Sequence, residues 1–365
     1  MDDDLDLVRL CGQLLVCGFD GHDLPAPLAA ALERGERGGV ILFSRNVADS
    51  EQVTRLCKEV AERCPAELPP FIAVDQEGGR VARLGAPVVQ LPPMRVLGAT
   101  ADPELCRRAG AILGAQLRAL GFNLDFAPVL DVDTNPKNPV IGDRAFGSDP
   151  DVVARLGTAF ADGLQGAGVL ACGKHFPGHG DTAQDSHFDL PFVAHDKPRL
   201  DAVELPPFRA ASLRKVASLM TAHVVYTALD PGIPATLSHK IATRLLRGEL
   251  GFEGVLFSDD LEMRALSDRF DIERSAVAAV GAGCDALLVC KSSELQERAH
   301  AALVREAERD EAFAQRCRAA VRRSLLARRR CRPGPSDAPE RAARFDDPRA
   351  RELLAELDRR GAGRA

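Results

Sequence analysis

An α/β protein, folded as a closed (β/α)8 barrel of the TIM type with a short C-terminal extension, is the class this sequence predicts. Three observations predict it. Short apolar runs recur eight times along the 365 residues, amphipathic segments of helical period separate them, and charged side chains collect where the runs end. Eight strands suffice to close a parallel barrel, and strand alternating with helix implies parallel pairing through right-handed crossovers. A doubly wound open sheet stays compatible with the pattern alone.

The runs fall at residues 14–19, 40–43, 71–74, 124–128, 168–173, 218–222, 255–257 and 286–289. Gly, Asp or His flanks most of them, as turn-forming residues flank buried strands. Segments 51–63, 103–120, 150–166 and 202–214 carry apolar residues at helical spacing and supply crossovers. In a barrel the C-terminal strand ends converge on one mouth. Asp75, Asp131, Lys174, His175, His223 and Asp259, dispersed in sequence, then become neighbours. Residues 1–332 read as one barrel domain. A Pro-rich break at 331–339 precedes a charged segment with one helical stripe at Leu353, Leu354 and Leu357, so residues 333–365 read as an appendage. The arginines between Arg322 and Arg332 read as the solvated face of a last helix, whose C-terminus favours cations.

Composition narrows the function classes. Hydrophobic residues make up 45% and charged residues 27%, which supports a large core and excludes wholesale disorder. Lys and Arg number 47 against 53 Asp and Glu, and the resulting charge of −6 argues against general nucleic-acid binding. The ten cysteines form no Cys-x-x-Cys pair and no zinc or disulfide spacing, which suits a reducing compartment. The acidic start Met1-Asp-Asp-Asp differs from a secretory signal, and no run approaches the roughly 20 apolar residues of a membrane span. The expectation is a cytoplasmic monomer acting on a small molecule, with no membrane or nucleic-acid partner and no cofactor.

The densest chemistry lies between Lys174 and His187, which reads Lys-His-Phe-Pro-Gly-His-Gly-Asp-Thr-Ala-Gln-Asp-Ser-His. His175 and His179 have the spacing of helical zinc ligands, with Asp185 and His187 as further candidates. Pro177 and Gly178 lie between the two histidines, and an interior proline breaks a helix, so the segment reads as a loop and no metal is expected. Asp185 and His187, one residue apart, can face the same way. A carboxylate bonded to one imidazole nitrogen fixes the tautomer and leaves the other free to exchange a proton near neutral pH. Asp-Ser-His is thus a candidate general acid/base unit.

Three other segments complement it. In Gly254-Val-Leu-Phe-Ser-Asp-Asp260, Asp259 at a strand end is a candidate nucleophile toward an anomeric carbon, while Asp260 suits helix capping or support of its neighbour. Val74-Asp-Gln-Glu-Gly-Gly-Arg-Val-Ala-Arg83 offers Asp75 and two arginines for bidentate hydrogen bonding to sugar hydroxyls. The polar loop from Asn135 to Arg144 offers Arg144, unless that side chain only pairs with Asp143 or Asp149 on the surface.

On these residues the chain resembles glycoside hydrolase family 3, in its β-N-acetylglucosaminidase (NagZ-type) branch. The matching positions are Lys174, His175, Gly178, Gly180, Asp185, Ser186 and His187, together with 74–80, the loop from Asp131 to Phe146, and 257–260. The likeness runs from about residue 8 to residue 330. It implies a retaining exo-β-N-acetylhexosaminidase acting on terminal N-acetylglucosamine in peptidoglycan (muropeptide) recycling. By the resemblance Asp259 would be the nucleophile and His187 the acid/base, oriented by Asp185. Asp75, Arg83, Arg144, Lys174 and His175 would hold the sugar. Phosphate as acceptor instead of water, a metal-dependent hydrolase using His175, His179 and Asp259, and a catalytically silent sugar-binding barrel remain the alternatives.

Overall fold

The computed structural model describes residues 5–183 and 190–361. Eight parallel strands close into a barrel: β1 (Leu15–Cys17), β2 (Gly39–Leu42), β3 (Phe71–Val74), β4 (Leu124–Asp125), β5 (Leu170–Phe176), β6 (Ser218–Thr221), β7 (Val255–Asp260) and β8 (Ala286–Val289). Each pairs with its neighbours in sequence, and β8 returns to β1 with Leu287 opposite Leu15. All eight predicted strands are present. The open-sheet alternative is removed by that closing pair.

Side-chain alternation along the strands builds the barrel interior. Phe71 and Ala73 of β3, Leu170 and Cys172 of β5, and Val255 and Phe257 of β7 all enter one apolar cluster with Phe126 and Met220. Phe257 meets both Phe71 and Phe126 edge-on, ring centres 5.2 Å apart. This packed floor leaves the mouth as the place for chemistry. Because the period is two, the next inward position on these three strands is Asp75, Lys174 and Asp259. The alternation that packs the core therefore delivers three of the expected site residues to one place.

Helices wrap the barrel, including α1 (Ser50–Arg63), α2 (Pro103–Leu120) and α3 (Pro150–Gly166). Each starts at an aspartate, Asp49, Asp102 or Asp149, whose carboxylate accepts backbone N–H bonds of the first turn. The expected helix at 202–214 is instead two, Lys197–Ala202 and Pro206–Leu213, split where Pro206 and Pro207 cannot donate. Residues beyond 332 form α4 (Ala338–Phe345) and α5 (Pro348–Gly361). Leu353 and Leu357 are buried there, and Leu354 packs against the same core.

Two further expectations need correction. β5 runs three residues past its predicted end, so Lys174 and His175 belong to a strand and only the chain after Phe176 is loop. The arginine cluster is not simply a solvated face. Arg328 is fully buried and donates to the Gly38 carbonyl, and Arg323 pairs with the buried Asp285, which also holds Arg247 and Arg316. These side chains plug the N-terminal end of the barrel, and two further helices follow.

Candidate active site

At the barrel mouth a cavity of about 310 Å³ is lined by Asp75, Glu77, Arg83, Arg144, Lys174, His175, His179, Asp259 and Asp260, with apolar walls that include Phe43, Met220 and Leu288. Every described residue predicted for the site lies here. Asp185 and His187 fall outside the described residues. A larger cavity, about 750 Å³, opens at the other end of the barrel beside Leu213 and Leu326. Its charged groups are cations and Glu253, with no histidine, so the assignment follows chemistry, not size.

One half of the cavity is a cradle of alternating charge. Lys174 Nζ lies 2.7 Å from Asp75 Oδ1 and 2.6 Å from Glu77 Oε1. Arg144 forms a two-pronged pair with Glu77, Nε and Nη2 each donating at 2.8 Å. Arg144 is therefore not the surface partner of Asp143 or Asp149. Asp143 pairs with Arg80, which also donates to the Val140 and Ile141 carbonyls. That fixes Arg80 to the neighbouring loop, and of the two arginines offered by the Val74–Arg83 segment it is Arg83 that approaches Asp75, at 3.8 Å. Burial would push the Glu77 carboxyl up, but Arg144 and Lys174 hold it far below the usual carboxylate range. Burial likewise opposes charge on Lys174, and Asp75 and Glu77 overcome it, so its pKa is raised.

The Lys-His segment is held by a second buried acid. Asp131 Oδ2 meets His175 Nδ1 at 2.7 Å, while its Oδ1 accepts the backbone N–H of His175 and of His179. Burial would raise Asp131, yet His175 and these donors keep it depressed. His175 Nδ1 is thus engaged, and Nε2 is the nitrogen left toward a ligand. His179 is a different histidine. Its Nδ1 lies 2.7 Å from Thr182 Oγ1, and burial followed by the nearby His175 pushes its pKa down to about 4. It is neutral at pH 7 and built into the turn. Gly178, with φ of +132°, and Gly180, where an added Cβ would lie 1.9 Å from the Val132 carbonyl oxygen, let this turn press against the Asp131 loop. Among the described residues no His, Cys, Asp and Glu side chains are grouped to hold a metal, and His175 and His179 each have a ring nitrogen committed within the protein.

Asp259 approaches from β7. Burial would raise its carboxyl, but His223 and His175 and the Asp260 N–H, which donates to Oδ1 at 2.8 Å, hold it below the ordinary value. It is ionised at neutral pH. Asp260 does not cap a helix; its Oδ1 accepts the backbone N–H of Glu262 and of Cys290. Burial pushes it up to about 7.

Sequence reasoning assigned no role to Glu77 and left Asp131 among the strand-end acids. The available signal for Glu77 was an imbalance: Arg83, Arg144 and Lys174 had been assigned to the sugar with Asp75 as their one anion.

Comparison with known proteins agrees with this geometry. Residues 10–325 match the profile of the glycosyl hydrolase family 3 N-terminal domain. A β-hexosaminidase of Thiobacillus denitrificans is 42% identical over 294 residues, 79% of each chain. Among solved structures, a glycoside hydrolase family 3 β-N-acetylglucosaminidase from a Paenibacillus species superposes with a TM-score of 0.89 at 41% identity, over 98% of this chain and 69% of that one. NagZ from Neisseria gonorrhoeae, solved with N-trifluoroacetyl-D-glucosamine, superposes with a TM-score of 0.77 at 32% identity, over 95% and 97% of the two chains. Fold, cavity and likeness over most of the length converge, and the chain belongs to glycosyl hydrolase family 3.

Proposed function

We propose that the protein is a retaining exo-β-N-acetylhexosaminidase that removes terminal N-acetylglucosamine, with Asp259 as nucleophile and His187, steadied by Asp185, as acid/base. The observation that carries this reading is the position of Asp259, ionised at the mouth and sharing one cavity with the Asp75–Glu77–Lys174–Arg144 cradle. Paired carboxylates and cations present donors and acceptors side by side, which suits the vicinal hydroxyls of a sugar. Similarity to enzymes named for cleaving β-N-acetylhexosaminides supports the same choice of substrate.

In the first step protonated His187 donates to the leaving oxygen as Asp259 attacks the anomeric carbon through an oxocarbenium-like transition state. The C–O bond to the leaving group breaks, and a glycosyl–aspartate bond replaces it. In the second, neutral His187 takes a proton from water as that water displaces Asp259, and configuration is retained. His175, bound to Asp131 through Nδ1, keeps Nε2 for the sugar. Muropeptide fragments in cytoplasmic cell-wall recycling are the substrate that the family branch suggests.

Denatured-protein mass measurement after exposure to a 2- or 5-fluoro N-acetylglucosamine analogue tests the reading. The expected result is a gain of one fluorosugar on the peptide that contains Asp259. Inactivation without an adduct, or with the sugar on another residue, removes Asp259 from the mechanism.

A further inference from the structure

We propose that Asp260 is a positioning residue for Asp259: one oxygen of its side chain pins the bulged end of β7 to β8 and so holds the Asp259 carboxylate over the cavity. The inference rests on the reading of Asp259 given above and gives Asp260, for which the sequence left capping or support open, a definite task.

Along β7 and β8 the register passes from Phe257 opposite Ala286 to Asp260 opposite Leu288, so three steps on one strand face two on the other. Such a bulge re-aims side chains and interrupts the ladder. Here side chains repair the gap. Leu288 N–H donates to Ser258 Oγ at 3.0 Å, and Cys290 N–H donates to Asp260 Oδ1 at 3.2 Å. The same Oδ1 accepts Glu262 N–H at 3.1 Å, closing the turn that follows the strand. The Asp260 backbone is tied on both sides as well: its N–H donates to Asp259 Oδ1, and its carbonyl accepts from His223 Nε2 at 2.9 Å. Any movement of Asp260 therefore moves the acceptor face of Asp259.

Among the described residues both contacts of the Asp260 side chain are to neutral backbone donors, so the pin needs an acceptor oxygen and no charge. The groups around it are Asp259 on its own strand, Glu262 in the turn, His223 beyond β6, and just past β8 the buried Cys290, whose carbonyl accepts from Arg45. Burial pushes Asp260 up to about 7, the Glu262 N–H opposing and the carboxylates of Glu262 and Asp259 reinforcing. The neutral form spares Asp259 an adjacent like charge. Ionisation at higher pH adds that charge beside Asp259.

The test compares Asp260→Asn, which keeps an acceptor oxygen, with Asp260→Ala, which removes it, using an aryl N-acetylglucosaminide. Asp260→Asn is expected to retain kcat within about threefold, and Asp260→Ala to lose about tenfold or more in kcat with KM nearly unchanged, because the sugar cradle stands on other strands. As pH rises through about 7 the wild type should fall relative to Asp260→Asn, since only the wild type gains a charge there. Wild-type kcat in a folded Asp260→Ala, equal damage in both variants, or a loss confined to KM overturns the inference. Thermal melting and inhibition by N-acetylglucosamine report whether Asp260→Ala is folded. If it is not, a loss of about tenfold or more in kcat for a folded Asp260→Asn, which keeps the acceptor oxygen, overturns the proposal on its own. Wild-type turnover in Asp259→Asn, by contrast, ends the reading of the site itself.

Discussion

Glu77 shows how a single buried charge is kept and what it does. Its side chain is 1% exposed, and it survives there because Arg144 and Lys174 each donate to it. Removing one member of such a group leaves the others buried and uncompensated, which is strongly destabilising. Glu77→Ala is expected to cost about 3–5 kcal/mol in denaturant unfolding and to raise KM, since two cations of the cradle lose their anchor. The pH dependence has a definite sign. Pairing depresses the folded pKa of Glu77, so its stabilisation is present above the unfolded value of about 4.3 and is lost as pH falls through the folded one. The gap between wild type and Glu77→Gln should therefore close in strong acid; a gap that stays constant into acid contradicts the pairing. None of this is readable from Val74–Arg83 as a string, because a carboxylate's partners sit on other strands.

At the scale of elements, strand parity and one tight turn assemble the site. β3, β5 and β7 each continue an inward apolar pattern with one inward charged residue: Asp75, Lys174 and Asp259. Period two is written in the sequence, so these positions were legible there. The extra turn of β5 past Gly173 was not, because Lys-His-Phe-Pro carries charge, a proline and no apolar alternation. Its strand character comes from neighbours: the Lys174 N–H donates to the Pro128 carbonyl, and its own carbonyl accepts from Leu130. The turn after β5 depends on close approach at Gly180. Gly180→Ala would force its Cβ against the Val132 carbonyl and push the two loops apart. The expected outcome is a drop in kcat/KM of about tenfold or more with a lowered Tm, checked by kinetics and thermal melting. Unchanged kinetics would mean that the contact between the His179 turn and the Asp131 loop does not govern the site.

Across the whole molecule, the C-terminal helices are part of the structure that carries the mouth. α5 packs on α2 and on the helix Met94–Thr100, with Leu353 and Leu357 buried and Arg360 donating to Asp102. On its other side that short helix holds the mouth loops: Arg95 pairs with Asp133 and donates to the Gly142 carbonyl, two residues before Arg144. Leu353→Ala should cost about 2–5 kcal/mol in stability, the range for emptying a fully buried leucine site. A cost near zero would show α5 to be loosely attached.

What the sequence determined by itself was everything that local pattern encodes. Eight apolar runs with helical intervals specify parallel strands and their crossovers, and the run from Lys174 to His187, with Asp75 and Asp259, marks the candidate chemistry; closure into a barrel came from the pairing of β8 with β1. Only the tertiary structure decided which charges neutralise one another: Glu77 with Arg144 and Lys174, Asp131 with His175, Asp285 with three arginines. Coulomb and hydrogen-bond energies depend on distance and burial, and residues tens of positions apart acquire those only when the barrel closes.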